Sequence, residues 1–176
     1  ALSISGGLFH MLNHSIFKGL LFLNAGSVEY RTGTRNLKKL GGLSSKMPIT
    51  SGSSFVASMA ISGIPPFNGF FSKVLIIIAA VQAGFIWIAF FAVLVSVITL
   101  ASFTKIQKYV FSGELHSKYS KIKEVPFSMS FSMILLSILC VIFSLLIIPE
   151  VRMIFLQPAV DVLINSTNYA TKIIGI

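Results

Sequence analysis

The stretch Gly7-Leu8-Phe9-His10-Met11-Leu12-Asn13-His14-Ser15-Ile16-Phe17-Lys18-Gly19-Leu20-Leu21-Phe22-Leu23 decides how the chain is read. With its neighbours it is long enough and apolar enough to cross a bilayer, yet it carries two histidines and a lysine. On a helix, His10, His14 and Lys18 recur every four residues and step along one flank over about two turns. Ser3, Gly7 and Asn13 fall near that flank, whereas Leu8, Leu12, Ile16 and Leu20 point away from it. A charged side chain at mid-bilayer costs about 3 kcal/mol on insertion scales. Three ionisable groups in register are therefore expected to face protein or water and to handle protons or ions. The plainer reading makes a histidine a hydrogen-bonded packing residue and lets Lys18 snorkel to an interface. It accounts for any one of the three, but not for their alignment.

The rest of the chain has the same character. Its 176 residues are 55% hydrophobic and only 11% charged, against roughly 25% charged residues in soluble domains. Mean hydropathy is +0.88. These values exclude an ordinary soluble domain and predict an all-α polytopic membrane protein. The net charge of +9 would suggest nucleic acid in a soluble protein. Here most of the charge lies in two loops that flank apolar runs, without interleaved arginines and aromatics. The expected partner is membrane lipid, and no nucleic acid. Cys140, the one cysteine, lies inside an apolar run, which leaves no disulfide framework or thiolate metal site.

From these runs we expect about five transmembrane helices and an amphipathic tail. The first covers residues 2–28 and ends in a basic loop, 29–47, with Arg31, Arg35, Lys38, Lys39, Lys46 and the pair Gly41-Gly42. Pro48 suits the first turn of a second helix, to residue 62, rich in the small residues that let helices approach closely. Then Gly63-Ile64-Pro65-Pro66-Phe67-Asn68-Gly69-Phe70-Phe71-Ser72-Lys73 interrupts the apolar sequence before a segment at 74–84. Two readings are open. The interruption is a broken helix at membrane depth, of the kind that builds ion sites, or a tight inter-helix turn with Lys73 anchored at the interface. Further spans follow at 85–110 and 127–148, separated by a loop with Lys118, Lys121 and Lys123, and residues 151–176 form the tail. With five spans the two basic loops fall on opposite faces, so charge gives no orientation.

His10 and His14 have the spacing of a helical zinc pair, but Met11, not Glu, follows His10, and Lys18 would repel a cation. No phosphate loop and no Ser-His-Asp set is present. We expect no metal, no cofactor and no catalytic redox site in this chain.

Three blocks together resemble the antiporter-like membrane subunits of respiratory complex I, with their relatives in Mrp-type sodium/proton antiporters and membrane-bound hydrogenases. The blocks are residues 8–28, the run Leu40-Gly41-Gly42-Leu43 leading to Lys46-Met47-Pro48, and residues 63–73. Their order and spacing match as well. The resemblance covers residues 1–111, read as the C-terminal part of the proton-translocating domain; residues 112–176 agree in hydropathy alone, as a closing transmembrane helix and an amphipathic tail. It implies the later part of a fold of about fourteen helices with two inverted repeats, each with one broken helix. It places His10, His14 and Lys18 on a hydrated central axis and Lys73 on the broken helix, with Gly63, Pro65, Pro66, Asn68 and Gly69 forming the break. The glutamate–lysine pair and central lysine or histidine of the first repeat have no counterpart here. The resemblance thus implies either a fragment or a split-gene subunit completed by a chain that supplies the N-terminal helices.

The expected function is translocation of protons, or exchange of sodium for protons, in a multi-subunit complex of an energy-converting membrane. That membrane is foremost a prokaryotic plasma membrane, with the mitochondrial inner membrane as the second choice. A peripheral redox module would drive it; the alternatives are a gradient-driven exchanger and a structural subunit without its own ion path. A lysine shielded from water can load and release a proton near neutrality, and histidines, with an ordinary pKa of about 6.5, can relay protons between lysines.

Overall fold

A computed structural model describes residues 2–164, and among these residues the structure is helical, with no strand. The helices are α1 (Leu2–Thr32), α2 (Pro48–Ser62), α3 (Asn68–Gln82), α4 (Ile86–Val110), α5 (Phe127–Ile142), α6 (Pro149–Phe155) and α7 (Gln157–Ile164). A short 3-10 turn, Phe143–Ile147, extends α5.

The 31 residues of α1 reach about 46 Å at 1.5 Å per residue, whereas α2 and α3, with 15 residues each, reach only about 22 Å. The contacts show how they fit. Asn24 of α1 accepts from Ser53 of α2, Asn13 meets Asn68 at the start of α3, His10 meets Ser72, and Gly6 touches Ile76. As the chain descends α1, its partner ascends first α2 and then α3. The two short helices therefore lie end to end as one discontinuous helix antiparallel to α1. The interruption at 63–67 is a break within a crossing, not a hairpin turn.

This arrangement corrects the expected placement of the basic loops. The five helices α1 to α5 make four crossings, because α2 and α3 share one, and the two loops fall on the same face. Gly42 N donates to Ser112 O at 2.9 Å and Ser44 N to Phe111 O at 3.2 Å. Gly42 is required here: its φ is +63°, and a Cβ would lie 2.4 Å from Leu115 N. The Glu124 carboxylate accepts from Ile49 N, Thr50 N and Thr50 Oγ1 at 2.7, 3.2 and 2.6 Å. It thereby satisfies the free N–H groups that open α2. Arg31 donates to the Glu124 carbonyl. The ten basic residues between Arg31 and Lys46 and between Lys105 and Lys123 thus gather at one end of the bundle.

Helices α4 (25 residues) and α5 with its extension (21 residues) are long and apolar enough to cross a membrane alone. α1 has the length, but its histidines, asparagines and lysine dilute its hydropathy; α2 and α3 are short because they are halves. A core of Phe17, Leu20, Met47, Ala57, Ala60, Met133 and Cys140 ties α5 to α1 and α2. At the opposite end, Phe9, Leu75, Leu146 and Leu156 bring the 3-10 extension of α5 and the junction of α6 and α7 against α1 and α3. The expected amphipathic tail is thus two short helices, with Leu156 and Val160 buried and Met153, Ile154 and Phe155 exposed; its last part, residues 165–176, lies outside the described residues.

Candidate ion-translocation site

The break is built by its prolines. In a continuous helix the carbonyls of Ile61 and Ser62 would accept from the N–H groups of residues 65 and 66. Both positions are proline, which has no N–H to give. α2 closes on Gly63 at φ +79°, whose N–H returns to Met59 O and Ala60 O, and the carbonyl of Ile61 is left open. Lys73 fills it. Its Nζ donates to Ile61 O at 2.8 Å and to Ser96 Oγ of α4 at 3.1 Å, and Ser96 is itself tied to Ala92 O. The aliphatic stem of Lys73 passes over Gly63, where a Cβ would come within 2.9 Å of Cδ. Ser-Gly-Ile-Pro-Pro and a lysine ten residues beyond the glycine together make a seat for an ammonium group against a bare carbonyl.

The second half is docked on α1 by a pair of asparagines. Asn13 Nδ2 donates to Asn68 O at 3.1 Å, and Asn68 Nδ2 returns a bond to Asn13 Oδ1 at 2.9 Å. Both side chains are fully buried, and Asn68 Oδ1 has no partner among the described residues. Gly69 allows the two halves to meet, since a Cβ there would lie 1.8 Å from Ala60 O.

Of the stripe on α1, the structure brings His10 to the break. Its Nδ1 lies 2.9 Å from Ser72 Oγ, and Ser72, fully buried, also bonds Gly69 O. Ser72 and Lys73 are adjacent, so the histidine stripe reaches α3 one residue before the lysine. His14 and Lys18 are not brought to Lys73. They continue the stripe along the exposed side of α1, with the His10 and His14 ring centres 6.1 Å apart and Lys18 Nζ 5.9 Å from the centre of the Phe22 ring. Lys18 also lines a cavity of about 340 Å³ between α1, α2, α4 and the first basic loop.

Sequence reasoning missed Ser72, Ser96, Asn13 as the partner of Asn68, and Glu124. The position of Ser72 beside Lys73 and the isolation of Glu124 among lysines were visible signals; nothing in the sequence marks Ser96, whose role depends on how α4 lies against the break.

These features define a helical membrane protein with a discontinuous helix. Residues 1–99 match the NADH:quinone oxidoreductase/Mrp antiporter transmembrane family, and the chain belongs to that family. It is 37% identical over 151 residues to hydrogenase-4 component B of Escherichia coli, covering 80% of this chain and 22% of that protein. It is 35% identical over 153 residues to Na(+)/H(+) antiporter subunit A1 of Staphylococcus haemolyticus, covering 80% of this chain and 19% of the relative. Two solved assemblies resemble it. The Mrp complex of Dietzia sp. DQ12-45-1b matches at TM-score 0.76 and 28% identity, over 82% of this chain and 35% of that one. The archaeal membrane-bound sulfane sulfur reductase matches at TM-score 0.78 and 35% identity, over 82% and 24%. The chain spans about a fifth of the length of the two curated relatives.

Proposed function

We propose that this chain translocates protons across an energy-converting membrane as the later part of an antiporter-like subunit. The observation that carries this reading is that His10 bonds Ser72 on the broken helix, one residue before Lys73, whose Nζ holds the open carbonyl of Ile61. Lys73 gives up a proton when its ammonium leaves Ile61 O and Ser96, and regains one from the relay that begins at His10. A charge change at Lys18 reaches this equilibrium electrostatically along the stripe.

The basic face bears on orientation. Ten Lys/Arg at one end support an orientation with that end on the negative side of the membrane, the cytoplasmic side in a prokaryote. Bacterial and archaeal relatives support a prokaryotic plasma membrane as the location. Further helices, on the same or another polypeptide, cover the exposed His14 and Lys18, and membrane lipid meets α4, whose Trp87, Phe90 and Phe91 are exposed.

Ion uptake into vesicles containing the native assembly tests the stripe. His10→Ala and His14→Ala should each slow uptake partially, because water can replace one relay, and Lys18→Ala should slow it more. Normal uptake in His10→Ala and Lys18→Ala would leave this arrangement without a function. Equal and complete loss in all three would point to a metal or structural site.

Two drives are supported by relatives, one named for a hydrogenase and one for an Na(+)/H(+) antiporter. A redox-driven complex is the reading we favour. Mass spectrometry of the purified assembly separates them: iron–sulfur or hydrogenase-like subunits identify a redox-driven pump, and small antiporter-type subunits alone identify a gradient-driven exchanger.

A further inference from the structure

A second hollow, of about 510 Å³, runs along the outer side of the bundle between α2 and α5. Its walls include Pro48, Ile49 and Val56 of α2 and Ile134, Ile138 and Ile142 of α5. Both helices leave the basic face, because Glu124, three residues before α5, holds the start of α2. Ser53 Oγ lies 3.6 Å from Met133 Sδ, which sets the two helices in register. From Pro48 to that level is five residues, and from there to Ile142 nine more, together about 21 Å at 1.5 Å per residue. That is longer than one leaflet of a hydrocarbon core about 30 Å thick. The polar groups along the groove are already spent. Ile49 N donates to Glu124, Ser53 Oγ to Asn24 Oδ1 and Ser137 Oγ to Met133 O. What remains is an apolar wall on which Ile134, Ile138 and Ile142 stand exposed.

The mouth has the opposite character. Lys46 lies two residues before Pro48, and Lys123 directly before Glu124. The Glu124 carboxylate is committed to Ile49 N, Thr50 and Val125 N. Neither lysine has an acidic partner among the described residues, where the ion pair formed is Arg35–Glu29. Phe127 and Phe131, exposed at the start of α5 with ring centres 6.0 Å apart, are the aromatic pair expected at a membrane interface, so the mouth sits at headgroup level. We infer that this groove holds one acyl chain of an anionic phospholipid from the leaflet of the basic face, with Lys46 and Lys123 engaging its headgroup. A transmembrane helix of a neighbouring chain would cover the same isoleucines, but it would leave the two lysines without an anion. The inference concerns the wall of the subunit and stands whether or not Lys73 moves protons.

Photo-crosslinking of the native assembly in phosphatidylcholine vesicles tests the site. Two probes are compared at the same low mole fraction, a phosphatidylglycerol and a phosphatidylcholine, each with a diazirine in one acyl chain. Adducts are located by mass spectrometry of peptides. The phosphatidylglycerol probe should mark residues 134–142 of α5 preferentially, while both probes mark the exposed side of α4 between Phe90 and Val97 equally. A lysine beside anionic lipid contributes about fivefold, so two should give a preference of about 25-fold. Lys46→Gln should lower the preference to about fivefold, and the double variant with Lys123→Gln should abolish it. Equal marking of α5 by the two probes in the unaltered assembly would reduce the groove to ordinary lipid contact and overturn the inference. If α4 is marked and α5 is marked by neither probe, a protein neighbour covers the groove, which overturns it as well. A preference that survives removal of both lysines would overturn the assignment of the headgroup.

Discussion

Replacing Gly69 by alanine puts a single methyl group where the two halves of the broken helix meet. The new Cβ would lie 1.8 Å from Ala60 O and 2.9 Å from its carbonyl carbon, whereas ordinary contact begins at 3.4 Å. The obstacle is backbone, so no side chain can rotate away; the end of α2 and the start of α3 must separate by about 1.6 Å, from 1.8 to 3.4 Å. Overpacking of this kind costs about 1–3 kcal/mol, and an unyielding neighbour puts it at the top of that range, about 3 kcal/mol. The same displacement carries Lys73 Nζ from 2.8 Å beyond hydrogen-bond reach of Ile61 O. Gly69→Ala should therefore lower the thermal midpoint of the purified assembly and also depress ion uptake in the fraction that remains folded. Gly52→Ala on the same crossing is the control. A Cβ there meets nothing within 4 Å, and alanine in a helix is favoured by about 1 kcal/mol over glycine. An unchanged midpoint and full uptake in Gly69→Ala would refute the close approach at Ala60, and with it the geometry that seats Lys73.

Other perturbations probe separate joints of the structure. Asn13→Ala or Asn68→Ala strands a buried amide and should each destabilise the assembly by about 1–3 kcal/mol. Because Asn68 Nδ2 and Asn13 Oδ1 satisfy one another, the double variant should cost clearly less than the sum of the singles, as read by a thermal double-mutant cycle. Glu124→Ala removes the carboxylate that opens α2 and should cost about 2 kcal/mol. Glu124→Gln, which keeps an acceptor oxygen, should recover part of that loss in the same thermal assay.

Much of this architecture is legible in the residues. The His10, His14 and Lys18 spacing, the Pro48 helix start and the Gly63-to-Gly69 interruption are local signals, because a turn of helix or a missing N–H is decided within a few residues. Choosing between a hairpin and a broken crossing was not local. Both use the same prolines, and only the successive pairing of Asn24, Asn13, His10 and Gly6 of α1 with α2 and then α3 distinguishes them. That choice also governs the side on which the second basic loop emerges, which is why counting five separate crossings split the charge between two faces. The lysine seat is partly legible: Pro65 and Pro66 show which carbonyls are freed, but that Lys73 and Ser96 fill the gap depends on tertiary packing. The cavity by Lys18 is formed by three helices and a loop far apart in sequence, and no motif marks it.

The central claim is that the lysine at the break carries the translocated charge, and Lys73→Ala tests it most directly. Proton uptake should be measured in sealed vesicles containing the assembled complex, with assembly checked on the same preparation. The account predicts normal assembly, because the lysine contributes two exchangeable hydrogen bonds and not core packing, with loss of most of the uptake. Normal uptake in a fully assembled Lys73→Ala complex would contradict it.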